Sequence, residues 1–296
     1  MHKHLYFRLM RRITTRLKHI PGAILVINPL RQFFAGREDC VIVTDYDGDL
    51  TATLCLNEHM QSQIFWYGYY SRDIVLLLDK ILKPGMVAID VGANIGEITM
   101  AAAHRVGPSG KVFAFEPMSP LYARLQEHIE TNRLSQVTAV RCGLSDKAGS
   151  AQLFSASETF HDGTEHKGLG TLYRSNTRAT PTEMIEIDTL DKFIESRDLT
   201  RVDLIKIDVE GAELPVLKGA KNVLARFQPY LIIEIQHETS EQAGYKASDI
   251  LEFLEPLGYR FYTIGRKSKL TGLSKKTLKP FQNVLCAPSE RSVHSL

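Results

Sequence analysis

Acidic residues recur at one kind of place in this chain: the ends of short apolar runs. Residues 87–99 read VAIDVGANIGEIT. Val87-Ala88-Ile89 is apolar, Asp90 closes it, and Gly92-Ala93-Asn94-Ile95-Gly96 follows before a helical stretch from Ile98. Strand, glycine turn and helix in that order form the opening unit of a nucleotide-binding α/β domain. Small residues let a ligand approach the backbone, and the helix start offers free N–H groups. The turn departs from the dinucleotide fingerprint. Counted from Gly92, G-x-G-x-x-G needs glycine at 94 and 97, where Asn94 and Glu97 stand. Asp90 suits a cationic or amine-bearing ligand group. Glu116 closes the next apolar run, and an acid after a second strand can hold both hydroxyls of a ribose. Ser145 and Asp146 follow the third run and are placed to meet an adenine amine or to form a solvent turn. Asp208 and Glu210 follow the fourth, and Glu234 lies near the end of the fifth.

The elements that must position these groups alternate regularly. Strands are expected over 87–90, 111–116, 137–142, 202–207, 230–235, 259–264 and 283–287. Helices are expected over 74–82, 121–132, 190–195, 214–226 and 250–257. Such alternation predicts a doubly wound, mostly parallel sheet with helices on both faces, and ligands in such sheets bind beyond the carboxyl ends of the strands. The polar, glycine-containing stretch 151–181 interrupts the rhythm and reads as an acceptor-side insertion or lid. Three units follow: an arm over 1–37, a cap of hairpin and aromatic segment over 38–84, and the nucleotide-binding domain over 85–290.

Composition is ordinary for a globular chain of 296 residues, 44% hydrophobic and 24% charged. The net charge of +2 hides an asymmetry: residues 1–37 carry eight Lys and Arg and no Asp or Glu, so the remainder is net acidic. Leu5, Leu9, Ile13 and Leu17 recur at helical spacing between the basic residues until Pro21-Gly22. The arm reads either as a helix on an anionic membrane surface or as one packed on the body or a second subunit. Its apolar residues are interrupted by arginines, unlike a secretory signal, and no run of about 18 apolar residues is present. Cys40, Cys55, Cys142 and Cys286 are scattered singly, without CxxC spacing, which reads as free thiols in a reducing cytoplasm. Asp45-Tyr46-Asp47-Gly48-Asp49 reads as a hairpin turn; as a calcium loop it lacks the closing Glu. His161 and His166 stand five apart in a polar stretch, and no metal is expected there.

The motifs together resemble the FkbM family of S-adenosylmethionine-dependent methyltransferases. Lys83-Pro84-Gly85 with IDVGANIGEIT, AFEP, GLSDKAG at 143–149, DTLDKF at 188–193, DLIKIDVEGAELPVLKGA at 203–220 and LIIEIQ at 231–236 carry the resemblance. Met118 stands where the family often has Asn, and Ser71 where an acid often follows the tyrosine. The resemblance implies a Rossmann-like, seven-stranded class I methyltransferase sheet with an antiparallel last strand, preceded here by an N-terminal extension. It implies S-adenosylmethionine as cofactor, held by Asp90, Gly92, Ala93, Asn94, Gly96, Glu116, Ser145 and Asp146, and O-methylation of a small molecule or glycan. A hydroxyl acceptor benefits from a base. Candidates are Glu210, then Asp208, with Glu234, His161 and His237 behind them; Glu210 reads equally as a cap for the helix beginning near Leu214. A nicotinamide-dependent oxidoreductase lacks its glycine fingerprint, and a non-catalytic module would not need Asp90, Gly92, Gly96 and Glu116 intact. The catalytic body is not basic, so nucleic acid is not the expected partner.

Overall fold

The computed structural model describes residues 2–17, 22, 24–35, 40–155, 158–159, 164–166, 170–174, 180–291, 293 and 296. Its centre is an eight-stranded sheet. In chain order the strands are β1 (Val87–Val91), β2 (Lys111–Phe115), β3 (Val137–Val140), β4 (Leu204–Ile207), β5 (Tyr230–Gln236), β6 (Tyr259–Gly265), β7 (Lys269–Gly272) and β8 (Phe281–Pro288). They lie side by side as β7-β6-β8-β5-β4-β1-β2-β3. Pairing is parallel from β3 to β5 and antiparallel from β5 through β8 and β6 to β7. This is the expected seven-stranded plan with β8 as the antiparallel strand. The additional β7 pairs with β6 at the edge, from a segment whose sequence shows little alternation.

Every residue of β1 and β4 is buried, as a parallel sheet covered on both faces requires. Side chains alternate between two cores. Ala88 faces one, and Val87, Ile89 and Val91 face the other. The helix Arg72–Ile81 buries Ile74, Val75, Leu77, Leu78 and Ile81, one stripe at helical spacing. It covers the first core together with the helix Glu97–Val106, the hairpin, and the aromatic helix His59–Tyr67, whose Trp66 is fully enclosed. The hairpin joins Cys40–Tyr46 to Leu50–Cys55 across a turn at Asp47-Gly48. Asp47 is not placed for calcium: its carboxylate pairs with Arg105 and accepts the Tyr69 hydroxyl.

Three expectations need correction. Cys40 and Cys55 are not single thiols. They are opposite residues of the hairpin, joined as a disulfide, because pairing register rather than sequence spacing brings them together. The argument for a reducing compartment therefore falls away. Within 151–181, where no element was expected, the described residues are largely strand. Gly149–Ser155 pairs with Thr180–Asp188 and with Gly170–Thr171, and Thr180–Asp188 also pairs with Gly143–Leu144, forming a second, four-stranded sheet. The helix expected over 214–226 is two, Glu213–Lys218 and Lys221–Phe227. A Cβ at Gly219 would lie 2.0 Å from the Ser145 carbonyl oxygen, so a glycine is needed where the chain passes the segment after β3. No helix among the described residues is long and apolar enough to cross a membrane.

Gly219→Ala is expected to lower stability by about 1–3 kcal/mol, the usual cost of overpacking, read as a shifted denaturation midpoint. An unchanged midpoint would show that the contact relaxes freely.

Candidate active site

The site begins where β1 ends. Asp90 is 2% exposed. One carboxylate oxygen accepts the Thr99 hydroxyl at 2.6 Å; the other has no hydrogen-bond partner among the described residues. The glycine turn follows. The N–H groups of Gly92 and Ala93 both donate to the Phe115 carbonyl, which ties the turn to the end of β2. Gly92 has φ +80°, and a Cβ there would lie 1.8 Å from the Asp208 carbonyl oxygen. Only glycine lets the turn after β1 touch the turn after β4.

Glu116, at the end of β2, is fixed by two backbone donors, Asn94 N–H at 2.8 Å and Met118 N–H at 2.9 Å. Burial pushes its carboxyl up to about 7, against the pull of those two bonds. Beyond β3 the wall is made by Cys142, Gly143 and Leu144. Ser145 and Asp146, expected here, do not line the cavity. Ser145 instead donates its N–H to the Asp188 carbonyl, because the β-ladder of the second sheet draws the chain away. Gly96 also stands outside the lining. It starts the helix Glu97–Val106 and packs against Leu125. Ala93 and Asn94 face the cavity.

Lys206 was not among the expected site residues. It is the one charged side chain of β4, 6% exposed. Its ammonium lies 3.2 Å from the Gly92 carbonyl, 3.2 Å from Asp208 and 3.6 Å from Asp90. Burial opposes its charge, but Asp208 and Asp90 outweigh burial and hold its pKa above the ordinary value. A lone lysine inside an apolar strand, LIKI, was the available signal.

The acceptor end gathers Asp208, Glu210 and Glu234, with carboxylate oxygens all within 4.8 Å of one another. Among the described residues, these three side chains form the group of potential metal-ligand atoms that lies close together. Burial, then repulsion from Asp208 and Glu210, pushes the Glu234 carboxyl well above its ordinary value. Glu210 has φ +53°, in the left-handed region, and its carbonyl accepts the Thr171 hydroxyl of the second sheet. It is not the helix cap. The cap position is Ala212, with no side-chain cap bond, and Glu213 instead accepts the N–H groups of Val209 and Gly211 in the turn before the helix. His237 is absent from the lining, and His161 lies outside the described residues.

Glu97 closes the site from below. Its carboxylate accepts the N–H groups of Tyr70 and Ser71 at 2.7 and 3.1 Å, so the aromatic segment is clamped to the helix after the glycine turn. Ser71, where an acid was expected by resemblance, contributes its backbone instead. One cavity of about 390 Å³ joins these parts, from Glu116 and the glycine turn to Tyr70, Asp208, Glu210 and Glu234. That size accommodates a small-molecule ligand. Leu153, Gly170, Leu172 and Ile185 of the second sheet complete its wall.

Comparison with known proteins follows this geometry. Residues 90–261 match the family model of the methyltransferase FkbM domain. The AMB antimetabolite synthetase AmbE of Pseudomonas aeruginosa is 27% identical over 242 residues, which cover 72% of this chain and 11% of that protein. The hexuronic acid methyltransferase AglP of Haloferax volcanii is 30% identical over 183 residues, 62% of this chain and 67% of its own. The 31-O-demethyl-FK506 methyltransferase FkbM of Streptomyces tacrolimicus is 33% identical over 162 residues, 48% of this chain and 62% of its own.

The buried carboxyls make stability depend on pH. Glu97 and Glu116 are both raised by burial from 4.5 to about 7. The unfolded chain therefore releases these protons first, and the stability they contribute is present below 4.5 and lost as pH rises to about 7. Denaturant midpoints of the cofactor-free protein should fall across that window, and Glu97→Gln should make the fall shallower. Equal slopes for the two proteins would remove Glu97 as a source.

Proposed function

Because the chain belongs to the FkbM methyltransferase family, we propose that it transfers the methyl group of S-adenosylmethionine to a hydroxyl oxygen of a small molecule or glycan. The observation that carries this reading is the continuity of the cavity, which joins the glycine turn and Glu116 to the carboxylates after β4 and β5.

The residues present fit the cofactor. Asp90 lies just behind the cavity lining, with its second carboxylate oxygen 3.6 Å from the Lys206 ammonium and free of a hydrogen bond, and would share that oxygen with the amine of the cofactor. Glu116 is held rigid by its two backbone donors and suits a ribose diol. Phe115 and Leu144 supply apolar walls beside it, suited to an adenine face. When bound, S-adenosylmethionine supplies an electrophilic methyl group on a positively charged sulfur.

The chain's own task is to align an acceptor hydroxyl with that methyl and to remove the hydroxyl proton. Asp208 is held in place by Lys206 at 3.2 Å, which suits it to orient the acceptor. Glu234, its proton affinity raised by burial and by two neighbouring carboxylates, serves as a donor to the acceptor's oxygens. Glu210 is then the base. Its left-handed turn sets the carboxylate beside both others at the mouth of the acceptor end. The second sheet and Tyr70 wall this end. Methylation at oxygen is also the chemistry named for the FkbM relative of Streptomyces tacrolimicus, and the AglP relative is named for a sugar acid.

Isothermal titration tests the cofactor half. S-adenosylmethionine should bind at one site and NAD should not, and Glu116→Ala should weaken the binding by about 2–4 kcal/mol, the worth of two charge-assisted hydrogen bonds. Binding of NAD alone would replace a methyltransferase with an oxidoreductase.

Glu210→Gln tests the acceptor half. It should lower kcat by about 10²-fold, the low end for general-base catalysis, with cofactor affinity nearly unchanged. Full turnover across a pH series would leave alignment by the pocket as the main catalytic contribution.

A further inference from the structure

The arm packs with one face and exposes apolar side chains on the other. The helix His2–Leu17 turns Phe7, Met10, Arg11 and Thr14 inward, all buried. Arg11 fixes it: its guanidinium donates to the carbonyls of Ile64 and Phe65 and pairs with Asp45. The helix Ile24–Ala35 turns Ile27, Arg31 and Phe34 inward. Phe34 stacks on Phe7 at 5.4 Å and on Trp66 at 6.0 Å. The inner faces thus account for the attachment of the arm.

The outer faces are apolar as well. Tyr6, Leu9 and Ile13 are 53, 57 and 48% exposed and lie three and four residues apart, on one stripe. Leu25, Val26 and Phe33 are 77, 58 and 62% exposed, and the exposed Pro29 falls between them on the second helix. Singly exposed apolar residues are normal, but two adjoining helices that each expose a stripe mark an interaction surface. Beside the first stripe run Arg8, Arg12 and Arg16, all exposed and four residues apart. No acidic residue stands in 1–37 to balance them.

We propose that this outer face docks on an anionic lipid bilayer. An apolar stripe flanked by a cationic stripe on one surface matches the boundary of a bilayer, where acyl chains lie just below acidic headgroups. A second copy of the chain fits less well. A twofold contact through the same patch would set the two arginine rows close to each other with no acidic residue from either arm between them. The surface needs no rearrangement of the body, because Arg11 and the Phe7–Phe34 pair hold the inner faces independently. The contact would also reach the site region through a short path. The same arm packs on the helix His59–Tyr67, whose Met60 lines the cavity.

The test uses the full chain and sedimentation with vesicles of phosphatidylserine and phosphatidylcholine, or of phosphatidylcholine alone. The protein should partition to the mixed vesicles at low salt and leave them at high salt. Arg8→Gln/Arg12→Gln/Arg16→Gln should reduce that partition on the order of a hundredfold. Leu9→Ser/Phe33→Ser should reduce it without altering its salt dependence. Both variants replace exposed residues, and an unchanged thermal midpoint with unchanged S-adenosylmethionine binding confirms that each is folded. Absence of binding to the mixed vesicles, or equal binding to both kinds, would overturn the proposal. So would a dimer in light scattering that Leu9→Ser/Phe33→Ser dissociates while vesicle binding persists.

Discussion

The buried ammonium of Lys206 is the constraint on which the rest of the site depends. Two chain reversals, one after β1 and one after β4, meet so closely that a single Cβ at Gly92 would enter the Asp208 carbonyl. Each reversal also brings a carboxylate. Without a cation between them, Asp90 and Asp208 would repel across a low-dielectric gap, and the Gly92 carbonyl would add its own partial negative charge. Lys206 faces all three. Burying a lysine is costly unless it is paired and hydrogen-bonded, and here the pairing is what makes the close approach of the strands tolerable. The cofactor half and the acceptor half are therefore joined by one side chain.

Much of this was legible because the determining features are local. The strand, glycine turn and helix around Asp90 lie within thirteen residues, and Glu116 and Asp208 each end an apolar run. Local pattern is also why a doubly wound, mostly parallel sheet could be anticipated. What escaped needs contacts between distant segments. Cys40 and Cys55 meet through hairpin register, which composition does not reveal. Ser145 and Asp146 looked like site residues by position after β3, yet ladder pairing of the neighbouring Gly143–Leu144 with Ile187-Asp188 carries them aside. Glu213, not Glu210, accepts the free N–H groups of the turn, a choice that three acids in close succession leave undecided until backbone angles are known. Lys206 stood in a recognised motif without a role, because a charge inside a strand has meaning only once its partners are in view.

The acidic residues divide by environment. Glu97 and Glu116 spend their carboxylates on backbone N–H groups and so act as anchors, although burial raises their proton affinity. Asp208 has a cation. Glu234 has mainly like-charged neighbours. Carboxyl groups thus provide anchors, a lysine-paired group and a group of raised proton affinity within a single cavity, and the difference lies in what each side chain faces.

The second sheet is seated at both ends of the cavity at once. Its Thr171 hydroxyl holds the Glu210 carbonyl, and its strand Thr180–Asp188 pairs with Gly143–Leu144, part of the opposite wall. Exchange of this segment between homologous enzymes, as a way of grafting a new acceptor preference, would therefore carry over a piece of the wall beside Glu116 as well. The walls at the two ends of the cavity belong to one sheet, so a chimera cut only at the borders of 151–181 would split a single structural unit.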